Sequence, residues 1–503
     1  MVGVGGRSKG CKTCRKRRVK CDEGKPTCDR CHKVGRECEG YTQYIEFHDE
    51  TSRMAQKLSP NYPPHQVSCP STVSHQHWDE SVIELPFTPL LMNPVWDENT
   101  LFTKFLVDKL FTWDEDPTSP HSAGWISMLL RPTEDETALS FNSIRALATS
   151  YFAKVHGHAS LLQKGARQYS HALGALQRQL HDSRCAMEDD VLLAIICMSV
   201  YELVTVTDPS AWISHCTGLA QLIAIRGPHR HQSGVGHAVL PTIRSSISIA
   251  YIVNRKRCFL EDPEWKTIPW ALQGLDSKIP VERLHDFLVN IPGILEEMER
   301  LLAWDPKLPG REEFKEKHCQ RTFRTLEELY SWRWDWQREF SNSTYLIRPN
   351  DFDFEDSFLL PSSPFETVIW FSTPYRATEL IMYNSIRLLL TMALETAGID
   401  IEVPVSVNGL NDPLLPMQGS RHDVAVEICR MSNFHLRSFH QSSGAFMLLF
   451  PLNVALRHLD GDKGRVKPWL RGVMAIIADL HGFEVGRRDF RSMIIEQKKV
   501  QSI

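Results

Sequence analysis

Six of the thirteen cysteines fall within 28 residues, at Cys11, Cys14, Cys21, Cys28, Cys31 and Cys38. Their spacing is C-x2-C-x6-C-x6-C-x2-C-x6-C, so the unit C-x2-C-x6-C occurs twice, offset by 17 residues. A C-x2-C turn folds back on itself and presents two thiolates to one metal ion. Two such turns could hold a single zinc, leaving Cys21 and Cys38 spare. Two zinc ions suit the repeat better, because each tetrahedral ion needs four ligands and six thiolates then require two shared ones. The repeat makes the shared ligands equivalent, one from each half. A segment this short, with Val19 and Val34 as its aliphatic residues, buries too little apolar surface to fold alone. Metal binding must therefore supply its folding free energy.

Charge follows the same division. Residues 1–38 hold twelve Lys/Arg against four acids, +8, while the whole chain carries −4, leaving −12 on the rest. Six thiolates and two Zn²⁺ contribute −2, so a loaded head keeps about +6, which suits phosphate attraction. The run Arg15-Lys16-Arg17-Arg18-Val19-Lys20 lies between Cys14 and Cys21, fixed at both ends by ligands. A basic run also serves as a nuclear localisation signal, and this one can fill both uses.

CKTCRKRRVKCDEGKPTCDRCHKVGREC resembles the fungal six-cysteine binuclear zinc cluster, the DNA-binding module of a family of transcription regulators. The likeness covers all six cysteines, the basic run, Lys20-Cys21-Asp22, and Pro26 two residues before the fourth cysteine. It implies two zinc ions bridged by Cys11 and Cys28, and a short helix in the basic segment whose end enters the major groove of double-stranded DNA. It implies that Arg17 and Arg18 read bases in CGG-like triplets, Arg donating bidentately to guanine. Arg15, Lys16, Lys20 and Lys25 are expected on phosphates. His32 is expected to face solvent. Many relatives dimerise through a coiled coil after the cluster; residues 39–100 hold no sustained heptads and are broken by prolines, so a homodimer would form through the helical body.

The expected domains are residues 1–45 (zinc cluster), 46–96 (a Pro/Ser/His-rich linker) and 97–503 (a helical regulatory domain). The body reads as all-α. Asp97 or Asn99 caps a helix with Leu101, Phe102, Phe105 and Leu106 on its apolar face. Leu162, Ala166, Tyr169, Leu173, Leu176 and Leu180 form another stripe. VLLAIICMSVYELV is apolar all round and belongs inside a bundle. Trp212, Leu219, Leu222 and Ile223 form a face ended by Gly227-Pro228. Further helices are expected over 282–303, 321–340, 375–397, 422–440 and 465–481, and no sheet. EDDVLLAIICMSVYELV…WISHCTGLAQLIAIRGP resembles the helical regulatory region that follows many fungal zinc clusters, through Glu202, Trp212, His215, Gly218, Arg226 and Gly227.

The remaining features read blandly. Cys69, Cys185, Cys197, Cys216, Cys258, Cys319 and Cys429 are scattered and expected as buried small hydrophobes. His229, His231 and His237 are expected in a solvated loop, and Trp332, Trp334 and Trp336 as packing residues. Asp351–Leu360 alternates acids with bulky apolar residues; it reads as an inter-helix loop or as an activation segment that folds on a coactivator. No stretch is long and apolar enough to span a membrane, and the basic start is not a signal peptide. A phosphate loop is absent, since Cys11 stands where its lysine belongs, as are H-E-x-x-H and G-x-S-x-G. The expectation is a nuclear, sequence-specific DNA-binding transcription factor regulating RNA polymerase II genes, as activator or repressor, with no enzymatic activity. Its rivals are an enzyme with a zinc-cluster appendage and a zinc-dependent interaction adaptor.

Overall fold

The computed structural model describes, in the head, residues 11–17, 19–22, 24, 27–36 and 38. In the body it describes residues 97–110, 138–182, 184–305, 307–349, 361–399, 420–437, 441–459 and 464–488. The chain divides into two compact units, Met1–Leu90 and Leu91–Ile503. The expected linker, Cys69 and Asp351–Leu360 lie outside the described residues.

The head contains two five-residue helices, α1 (Lys12–Lys16) and α2 (Asp29–Lys33), each beginning one residue after a cysteine. The body is mostly α-helical. Its first half runs α3 (Glu98–Leu110), α4 (Leu139–His156), α5 (Ala159–Leu180), α6 (Asp189–Thr205), α7 (Ala211–Arg226) and α8 (Gly234–Asn254). Helix α4 packs against α3, α5 and α6, and α6 packs on α7. Every residue from Val191 to Val204 on α6 is buried, as a helix apolar on all sides requires.

Faces of the outer helices are rotated from expectation. Asp97 caps α3, its carbonyl accepting from Leu101 N at 3.1 Å and its carboxylate from Asn99 N at 3.3 Å. Phe102, Leu106 and Leu110 then face the core, while Leu101 is exposed. On α5 the buried line is Gly165, Tyr169, Ala172 and Leu176, with Ala166 and Leu180 turned outward. Gly165 sets that line: a Cβ there would stand 2.1 Å from Ser150 Oγ, so α4 and α5 approach where the side chain is missing. The face of α7 is as expected, with Trp212, Leu219, Leu222 and Ile223 buried and Gly227 closing it at φ 73°.

The second half runs α9 (Pro263–Thr267), α10 (Pro280–Leu288), α11 (Ile291–Ala303), α12 (Arg311–Glu339), α13 (Pro374–Thr396), α14 (Arg421–Arg437), α15 (Gln441–His458) and α16 (Val466–His481). The single helix expected over 282–303 is two, because Pro292 lacks the N–H that a continuous helix needs and instead sits in the first turn of α11. Helix α12 begins ten residues before the expected 321. Its first turns are charged and largely exposed, so no apolar face marks them; pairs such as Lys317–Glu313 (2.6 Å, i,i+4) support them instead.

The expectation of no sheet is corrected by a two-stranded antiparallel ribbon, β1 (Thr344–Ile347) with β2 (Val368–Phe371). All four residues of β2 are buried, so it shows no alternation of polar and apolar residues to reveal it.

Two further corrections concern single residues. His231 is fully buried in a 3₁₀ turn, its Nδ1 2.9 Å from Gly236 O, and His237 lies inside α8; neither belongs to a solvated loop. Cys185 is exposed and Cys319 half-buried, while Cys197, Cys216, Cys258 and Cys429 are buried as expected. Trp332, Trp334 and Trp336 are all buried, and Trp336 Nε1 donates to Glu379 Oε2 at 2.7 Å.

Residues behind the body's resemblance to a regulatory region form a polar knot within the bundle. Glu202 accepts from the Tyr169 hydroxyl at 2.6 Å and from Thr207 Oγ1 at 2.6 Å and its backbone N at 2.9 Å. Tyr169 has one hydroxyl proton, so the His215 Nε2 standing 2.7 Å away must be the donor to that oxygen. Burial pulls His215 down to about 4, which keeps the ring neutral and fixes this tautomer near neutral pH. The knot ties α5, α6 and α7 together. Arg226 ties the far end of α7 to Asp189 and Met187 O. A Cβ at Gly218 would meet nothing within 4 Å, so the structure does not explain that glycine.

Candidate metal centre and nucleic-acid interface

The cysteine repeat is also a structural repeat. Cys11 and Cys28 precede α1 and α2, and each sulfur accepts from the backbone N three residues on, Cys14 N at 3.3 Å and Cys31 N at 3.4 Å. Val19 N donates to Cys14 O at 3.1 Å, and Arg36 N, 17 positions later, donates to Cys31 O at 3.0 Å. The same local fold is thus built twice from the same spacing.

The six sulfurs come together as two groups of four, Cys11, Cys14, Cys21, Cys28 and Cys11, Cys28, Cys31, Cys38, each within 4.8 Å. Cys11 and Cys28 belong to both. A zinc–sulfur bond of about 2.3 Å gives a tetrahedral edge of about 3.8 Å between ligand sulfurs. The separations are 3.6 Å for Cys11–Cys28, 3.8 Å for Cys11–Cys31 and 3.7 Å for Cys14–Cys28. Cys11, Cys14, Cys28 and Cys31 are fully buried, and burial pushes their thiols up. Thiolates in so confined a space require cations among them. Donor type, number and spacing therefore fit two zinc ions.

Asp22 had no role in the sequence beyond its place in the family pattern. Its carboxylate accepts from Asp29 N at 2.8 Å and Arg30 N at 2.9 Å, stitching the first half to the start of α2. The bond from Arg30 N, seconded by that from Asp29 N, holds the carboxyl below its usual range.

The two halves share backbone hydrogen bonds but differ in sequence. Arg15-Lys16-Arg17-Arg18 of the first aligns, 17 residues on, with His32-Lys33-Val34-Gly35 of the second. Lys16, Arg17 and Lys20 are exposed, as is His32. Helix α1 covers the second cysteine and stops at Lys16, so the expected helix within the basic run is mostly upstream of it, and Arg17 follows its last turn. Arg18 and Lys25 lie outside the described residues, and the side chains of Lys12 and Arg15 likewise.

This arrangement defines a zinc-cluster protein whose consecutive basic run lies in the first half of the repeat. Comparison with known proteins specifies the class. Residues 9–46 match the fungal Zn(2)-Cys(6) binuclear cluster domain and residues 101–249 the fungal specific transcription factor domain. The chain thus carries a fungal Zn(2)-Cys(6) binuclear cluster domain, with two zinc ions as its cofactors, and a segment like the fungal specific transcription factor domain. An uncharacterized Emericella nidulans protein is 29% identical over 34% of this chain and 40% of its own length. The cluster-specific transcription regulator of aspercryptin biosynthesis from the same organism is 65% identical over 8% of this chain and 7% of its own. A Schizosaccharomyces pombe transcriptional regulatory protein is 69% identical over 6% of each chain. The chain thus spans less than half the length of these relatives. No solved structure matches it.

Proposed function

We propose that this protein is a nuclear, sequence-specific DNA-binding factor that regulates RNA polymerase II genes. Cys11 and Cys28 bridge its two zinc ions; Cys14 and Cys21 complete one, Cys31 and Cys38 the other. The ions supply the folding free energy of residues 1–45 and the rigid frame on which the basic segment is mounted. Arg17 and Arg18 read a CGG-like triplet from the major groove, while Arg15, Lys16, Lys20 and Lys25 hold phosphates. Residues 97–503 act as the regulatory domain and the seat of any homodimer, and Asp351–Leu360 is the candidate contact for a coactivator.

The observation that carries this reading is the broken symmetry of the head. Two halves with matching backbone hydrogen bonds would be interchangeable metal scaffolds, yet the sequence of one carries four consecutive cations, with Lys16 and Arg17 exposed, where the other has His, Lys, Val and Gly. An adaptor needs no such asymmetry; a groove reader does. The test is selection from randomised duplex DNA by the full zinc-loaded chain and by Arg17→Ala, Arg18→Ala and Lys16→Ala variants. Arg18→Ala or Arg17→Ala should flatten preference at one guanine, a loss of about 1–3 kcal/mol in discrimination. Lys16→Ala should weaken all sequences alike and lower the salt slope by about one. Unchanged selectivity in the Arg17/Arg18 double variant would refute the assignment.

A further inference from the structure

The body is acidic as a whole, yet residues 139–180, the hairpin of α4 and α5, contain no Asp or Glu and five Lys/Arg. Two of these are neutralised from outside: Lys154 by Glu484 at 3.2 Å, and Lys164 by Glu98. Arg145 and Arg167 have no carboxylate partner among the described residues. Both line a cavity of about 300 Å³ between the helices, with Asn142, Gln168 and His171.

The lining is built for a polar anion. Arg145 is half-buried over the Phe141 ring, 5.4 Å from its centroid, which fixes the guanidinium in place. Its Nε is buried without a hydrogen-bond partner, and so is Gln168 Oε1. A buried donor on α4 and a buried acceptor on α5, both left open, cost free energy unless a ligand bearing the complementary groups meets them. Two guanidiniums select carboxylate or phosphate oxygens, which they can grip bidentately. Gln168 Oε1 requires a hydroxyl or amine proton from the same ligand. The volume stands at the lower end of small-molecule sites and excludes a duplex or a folded partner.

We propose that this cavity binds a small hydroxylated organic anion, carrying a carboxylate or phosphate, as a ligand of the helical body. The inference goes beyond DNA recognition and rests on the body alone. Its readout contains no DNA, so its failure and that of the DNA-binding reading are distinguishable.

The full zinc-loaded chain is titrated calorimetrically at low ionic strength with malate, succinate and inorganic phosphate. Saturable one-site binding is expected for at least one of these anions, with malate about threefold or more tighter than succinate because its hydroxyl reaches Gln168. Arg167→Gln changes an exposed residue and leaves the melting temperature unchanged, yet should weaken binding about tenfold, as loss of a charged bidentate contact does. Arg145→Gln, checked for folding by its own melting temperature, should do the same, and Gln168→Leu should erase the preference for malate. Absence of saturation with all three anions at millimolar concentration, or unchanged affinity in Arg167→Gln, overturns the proposal.

Discussion

The head and the body of this chain reach a defined structure by opposite means. In the body, fourteen consecutive residues of α6 are buried and the packing is apolar side chain on apolar side chain. Among the described residues of the head, the buried ones are Cys11, Cys14, Cys28 and Cys31, with Val19 packed beside them. Apolar burial at about 25 cal/mol per Å² accumulates only over many residues. A thiolate–metal set delivers a comparable free energy from a few. Spacing therefore matters in the head as hydrophobic periodicity does in the body.

Removing the metal should produce the largest effect. A strong chelator should abolish the head's structure and specific DNA binding together, while the body's cooperative thermal transition stays where it was. Cys21→Ala should act like the chelator, because one ion keeps three ligands of four. The comparison breaks if chelation lowers the body's melting temperature, or if metal analysis returns one zinc per chain with Cys21 and Cys38 freely alkylated.

The two regions were also legible to different degrees. The cysteine pattern exposes the head's site because metal ligation depends on spacing along the chain, which sequence shows directly. The repeat of 17 residues predicted that the shared sulfurs would be equivalent, and Cys11 and Cys28 occupy equivalent positions. The work of Asp22 was hidden because it bonds backbone N–H groups seven and eight residues away, and backbone partners leave no trace in side-chain identity. In the body, helix existence was readable but helix faces were not always. Gly165 rotates α5 by permitting close approach to Ser150, a contact between helices that periodicity within one helix does not encode. The strand Val368–Phe371 was missed for a related reason: buried on both faces, it has no polar side to alternate.

Acid should separate the regions next. In the head, protons compete with zinc for thiolates, so falling pH loosens it. In the body, Glu379 has the opposite sign. It lies on α13 against Trp336 of α12, 3% exposed, and burial pushes its carboxyl up to about 7 against the opposing bonds from Trp336 Nε1 and Arg376. An unfolded Glu titrates near about 4.3, so the folded state holds this proton more tightly. The stabilisation is fully present below the unfolded value and is lost as pH rises through about 7. Buried His215, His285 and His481 are depressed by burial and run the other way, so the clean quantity is the difference between wild type and Glu379→Gln. That difference should change by about 2–3 kcal/mol between about pH 5 and 8, wild type gaining relative stability in acid. Fluorescence of Trp336 should follow the same titration, since its indole N–H donates to this carboxylate. A difference independent of pH would remove Glu379 from the account.

The smallest effect is the most pointed for the comparison. Val34 is one of two aliphatic residues between Cys11 and Cys38 and is 53% exposed. If the head were a miniature hydrophobic fold, Val34→Ser would remove much of its core. If metal ligation holds it, the change lies within about 0.5 kcal/mol, the range of an ordinary surface substitution. In the body, Leu147→Ala at a fully buried position should cost about 2–5 kcal/mol, through lost transfer free energy and the cavity left behind. Zinc affinity measured by chelator competition reads the first variant, and thermal melting the second. A Val34→Ser head that no longer holds zinc would mean that apolar contact contributes where the sulfur cluster was taken to suffice. In that case Val19, half-buried against the cluster of buried cysteines, is the next residue to replace.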